Sequence, residues 1–63
     1  MVLYVHVYEE LPDEDGFLSY VLSAKFASVL DALDFYEFRK KHHRDAKLLL
    51  IDTFHHQQVD VAA

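Results

Sequence analysis

VLYVHVYEELPDEDGFLSYVLSAKF, residues 2–26, holds two runs of β-branched and aromatic residues, separated by the chain's one proline and one glycine. Val2 to Glu9 reads as a strand, because valine and tyrosine fit a pleated, half-buried surface. Alternation places Leu3, Val5 and Val7 on one face and Tyr4, His6 and Tyr8 on the other. Both faces are largely apolar, which suits a central strand or one whose second face meets a partner. Glu10 to Gly16 reads as the turn, since Pro12 holds its φ and Gly16 takes a positive φ without a steric penalty. Phe17 to Phe26 then returns as a second, antiparallel strand. Strict alternation gives it one face of Leu18, Tyr20, Leu22, Ala24 and Phe26, and another of Phe17, Ser19, Val21, Ser23 and Lys25.

Downstream, Ser28 reads as a helix N-cap, with Asp31 near the positive end of the helix dipole. The helix is expected to run to about His43. Val29, Ala32, Leu33 and Tyr36 fall on one face and form the core stripe, flanked by Leu30 and Phe35, while Phe38 falls on the opposite side. Asp45 marks a break, and Lys47 to His55 reads as a third strand around the apolar run Leu48 to Ile51. Gln57 to Ala63 is either a frayed tail or a short extra strand from Val59 to Val61. The chain thus predicts an α+β domain over residues 1–63, of ββαβ order, with a three-stranded, mainly antiparallel sheet and one helix packed on one face. The favoured strand order, 3-1-2, gives the first strand two neighbours. A right-handed crossover that makes the third strand parallel to the second is the alternative.

With 63 residues and no cysteine, neither size nor disulfides supply much stability. A composition that is 52% hydrophobic, with nine aromatics, offers more apolar surface than one small core hides. An exposed apolar patch is therefore expected, and such patches mark interfaces. No run approaches the 18 apolar residues of a membrane span. The apolar N-terminus lacks the basic start and small-residue cleavage site of a signal peptide. Together with the absence of cysteine, these features predict a soluble, cytoplasmic protein.

Residue types that carry catalysis do not converge in the sequence. His42 with His43 and His55 with His56 are adjacent pairs, which point apart on a helix or a strand, and His6 stands alone. No metal set and no cofactor are expected. The acidic cluster Glu9, Glu10, Asp13, Glu14 and Asp15 lacks the spacing of a calcium loop and reads as a solvated hairpin turn or a recognition patch. Ser19, Ser23 and Ser28 show no nucleophile motif, and a single glycine rules out a glycine-rich phosphate loop.

What remains is the expectation of a non-enzymatic protein-binding module, of the accessory or inhibitor type, that docks a protein partner or a second copy as a homodimer. The residues expected to bind are the row Tyr4, His6 and Tyr8, extended by Phe17 and Val21, together with Phe38. The acidic turn and the basic helix end Arg39, Lys40, Lys41 and Arg44 would set orientation and association rate. The alternative is a nucleic-acid binder that stacks bases on the aromatic row and holds phosphates with the basic helix end. A net charge of −5 disfavours it.

Overall fold

Five elements follow one another in the computed structural model, which describes residues 2–61. They are strand β1 (Val5–Pro12), strand β2 (Leu18–Phe26), helix α1 (Val29–His42), strand β3 (Leu48–Asp52) and the short strand β4 (Gln57–Gln58). All pairings are antiparallel and the sheet order is β2-β1-β3-β4. The α+β class and the central position of β1 agree with the sequence reading. The sheet has four strands and not three, because the chain turns back after β3 and pairs once more.

Val5 and Val7 of β1, Ala32 of α1 and Leu50 of β3 are fully buried and form the centre of the core. Val29, Leu33, Phe35 and Tyr36 of the helix pack around them, which is the predicted stripe with Phe35 drawn in. Phe35 meets Phe26 of β2 with ring centroids 5.4 Å apart, a tilted pair suited to the ring quadrupoles. Leu3, expected on this face, lies before the strand begins and is 47% exposed. The Ser28 cap is as expected: its Oγ accepts from the Asp31 N–H at 3.1 Å. At the other end His43 N–H donates to Arg39 O at 2.8 Å. The Lys40 ammonium reaches past it and donates to the carbonyls of Arg44 (3.1 Å) and Ala46 (2.7 Å), fastening the helix exit.

Asp13 makes the β1–β2 turn tighter than the Glu10–Gly16 turn expected. Its Oδ1 accepts from the N–H groups of Asp15 and Phe17, both at 2.9 Å, and its own N–H donates to Phe17 O. Gly16 supplies the positive φ of 86°. With the reversal confined to residues 13–17, Glu10, Leu11 and Pro12 are free to pair with Tyr20, Ser19 and Leu18. Pro12 is tolerated because β3 reaches only as far as Glu9, so no neighbour on that side asks for its missing N–H.

A bulge corrects the predicted faces of β2. Val7 stands across from Ala24 but Tyr8 stands across from Leu22, leaving Ser23 as the extra residue. One inserted residue reverses the parity of everything before it. Ala24 and Phe26 therefore face the helix, whereas Leu22, Tyr20 and Leu18 share the opposite face with Lys25.

β3 is shorter than the Lys47–His55 expected because Asp52 bends the chain. Its Oδ1 accepts from the N–H groups of Phe54 and His55, both at 3.0 Å, and Oδ2 lies 2.7 Å from His55 Nδ1. The side chain offers the backbone a partner that a continuing strand would have to refuse. His56 closes the reversal with a φ of 53°. The returning strand then pairs at Gln57 and Gln58, not at Val59–Val61. Val59 and Val61 instead lie half-buried against the core, and Val59 N–H donates to Leu50 O.

Candidate interaction surface

Residues directly across an antiparallel ladder share a face, so the pairing register gives the face the helix leaves uncovered. Across from His6 stand Lys25 on one side and Ile51 on the other; across from Tyr8 stand Leu22 and Leu49; across from Glu10 stands Tyr20. His6 and Tyr8 lie half-buried within this layer, their rings 6.4 Å apart. Tyr4 continues the row but is engaged, packing on the core and on Phe54 at 5.9 Å. Thr53 holds that end of β1 through its N–H and Oγ1, both bonded to Tyr4 O.

Beyond Glu9 the hairpin of β1 and β2 runs out past the end of β3. Every residue from Leu11 to Ser23 is exposed. Among them Leu11, Phe17, Leu18, Tyr20, Val21 and Leu22 are large and apolar, and the molecule is correspondingly elongated, 36 × 22 × 19 Å. Phe17 is 72% exposed where β2 leaves the turn. Val21 stands across from Glu9, on the helix side, and so does not extend the Tyr4–His6–Tyr8 row. Leu22, Tyr20 and Leu18 extend it instead. Their alternation is legible in the sequence, but the bulge that carries it onto this face is not.

Phe38 sits elsewhere. It lies six residues beyond the buried Ala32, on the side of α1 turned away from the sheet, 59% exposed and with its ring tilted against that of His42, centroids 4.5 Å apart. The fold does not bring it together with the aromatic row.

The charged groups are also redistributed. Glu9, read as part of a solvated turn, is 7% exposed because it follows Val5 and Val7 on the helix face. There its carboxylate accepts from the Arg39 guanidinium, so one member of each expected electrostatic cluster is spent on an internal ion pair. Glu10 lies 3.9 Å from Lys47. Lys40 is occupied with backbone carbonyls, while Lys41 and Arg44 remain on the surface. Asp13 holds the turn, and Glu14 and Asp15 are left as its exposed acidic tip. A cleft of about 500 Å³ opens beside the Glu9–Arg39 ion pair, bordered by Glu9, Glu10, Arg39, His42 and Arg44. Its mixed charges present no single sign to a ligand.

Hydrogen bonding to His55 holds the Asp52 carboxyl below its ordinary value against the opposing effect of burial, with the backbone N–H groups of His55 and Phe54 adding to the stabilisation of the anion. This pair organises a turn. Among the described residues no group of three or more His, Asp or Glu side chains converges to hold a metal ion, and no helix is long and apolar enough to cross a membrane.

No family model matches the chain, and no curated protein or solved structure matches it.

Proposed function

We propose that this small α+β protein is a non-enzymatic protein-binding module, of the accessory or inhibitor type, that docks through the outer sheet face and the projecting β1–β2 hairpin. One observation carries the reading: Leu18, Tyr20 and Leu22 line an exposed strand that continues an apolar layer of Tyr8, Leu49 and Ile51. Aromatic and aliphatic side chains at such a position release water on docking and are enriched at the centres of interfaces. A nucleic-acid site would need several cations around the aromatic row. Lys25 across from His6 is accompanied by the carboxylate of Glu10 in the same layer, which weighs against phosphate binding.

Site-specific photocrosslinking tests the proposal. A benzophenone side chain at position 20 should give a discrete protein adduct in cells that produce the chain, and one at Glu37, exposed on the helix, should give none. Equal or absent labelling at the two positions would refute docking through β2.

A further inference from the structure

Resting on the docking reading above, we infer that the occupant of this surface is a second copy of the chain, joined β2 to β2 about a two-fold axis at Tyr20, so that the two sheets become one. The main-chain directions support this. Glu10 N–H donates to Lys47 O at 3.0 Å, so the backbone polar groups of Glu10 face β3. Tyr20, directly across from Glu10, is then in a non-hydrogen-bonded position of the β1–β2 ladder. Its own N–H and C=O point away from β1 to the open edge of the sheet. Leu18 and Leu22, two residues to either side, do the same. The residues whose main chain is unpaired are therefore the residues whose side chains are apolar and exposed on the outer face.

The two edges of the sheet are unlike. On the β4 side the edge is a strand of two residues, too short to template pairing. On the β2 side it is nine residues long, without proline and with Lys25 as its one charge. Natural edges of that length are blunted by charge, proline, cover or a bulge; this one has Lys25 and the bulge at Ser23 near one end, which leaves the stretch Leu18 to Leu22 open. An antiparallel two-fold pairing centred on Tyr20 places Tyr20 against Tyr20 and Leu18 against Leu22 of the second copy. The same register runs the Lys25 end of each β2 toward the turn of the second copy, where Glu14 and Asp15 form the acidic tip, so that unlike charges approach each other at both ends. Surface area agrees. The accessible surface of 4945 Å² exceeds by about 700 Å² the ~4,200 Å² expected of a folded monomer of this mass. One side of a standard interface buries about 800 Å².

Absence of native cysteine makes the register directly testable. Facing residues of a hydrogen-bonded antiparallel pair have Cα atoms about 5.5 Å apart, within the reach of a disulfide. Under mild oxidation the Tyr20→Cys variant should therefore crosslink to itself. Leu18→Cys and Leu22→Cys should each stay uncrosslinked alone and crosslink when mixed. Light scattering of the unmodified protein at tens of micromolar should give the mass of two chains. Tyr20→Lys should weaken association at least tenfold while keeping the far-UV circular dichroism of the parent. A one-chain mass for the parent overturns the inference; a position-20 photoadduct with a different protein would then leave the docking reading standing. A two-chain mass that Tyr20→Lys does not change, with no crosslink at position 20, overturns it as well, because the interface then lies elsewhere.

Discussion

Replacing Arg39 by methionine leaves Glu9 as a carboxylate enclosed by β1, β2 and α1 with no counter-charge. The Glu9 side chain is 10% exposed and that of Arg39 30%, so the pair sits where the protein meets water. Two unit charges 4 Å apart attract by about 4 kcal/mol at an effective dielectric of about 20, and breaking a buried pair costs about 3–5 kcal/mol. Partial exposure of Arg39 and its buried Nε, which has no hydrogen-bond partner among the described groups, place this case below that range. Arg39→Met should destabilise by about 2 kcal/mol. That is a large share of the roughly 3–9 kcal/mol expected for a domain of this length. Removing both charges, Glu9→Met with Arg39→Met, should return stability to within about 1 kcal/mol of the parent, because apolar side chains of similar volume fill the site without desolvating a charge. Urea unfolding of the parent, both single variants and the double variant at one protein concentration gives the coupling energy directly. If the double variant is as destabilised as the sum of the singles, Glu9 and Arg39 do not meet and the assignment of Glu9 to the helix face fails. Glu10→Gln, which touches only the exposed contact with Lys47, should change stability by less than about 0.5 kcal/mol in the same assay.

Three further outcomes follow from the packing and the turns. Leu50→Ala should cost about 2–5 kcal/mol by chemical denaturation, and Leu49→Ala, on the outer face, clearly less; equal losses would mean that the faces of β3 are misassigned. Asp52 titrates below its ordinary 3.8 when folded, so its stabilisation is whole above about pH 4 and is lost as pH falls through the lower folded value. Thermal midpoints measured from neutral to acid pH should accordingly converge for parent and Asp52→Ala below pH 4, and a constant gap would argue against the His55 contact. His56→Gly should raise stability by up to about 1 kcal/mol, since glycine takes the φ of 53° without the Cβ penalty; a fall would show that the imidazole makes a contact worth more than the strain.

Local chemistry was readable in the amino-acid sequence wherever it acts over a few residues. Ser28 announces the helix start because its hydroxyl needs only the N–H three residues on. The stripe of Val29, Ala32, Leu33 and Tyr36 announces which side of α1 is buried, and the doubly apolar Val5–Tyr8 segment announces a strand with two neighbours. Gly16 and Pro12 announce the reversal, though the reach of Asp13 to the N–H of Phe17, which tightens it, is a matter of conformation.

Tertiary structure decided the rest, for identifiable physical reasons. Side-chain alternation is a parity rule, and the single extra residue at Ser23 inverts it, so Leu18, Tyr20 and Leu22 are exposed on the sheet and Phe26 is packed on the helix. Glu9 looks solvated beside Glu10 and Asp13, yet its partner Arg39 is 30 positions away and arrives only when α1 lies across β1. Asp52 could have continued a strand; its two oxygens found nearby donors and turned the chain back into a fourth one. Which edge of the sheet stays open follows from strand order, and strand order follows from how β3 pairs, a choice made by contacts between segments that are far apart in the chain.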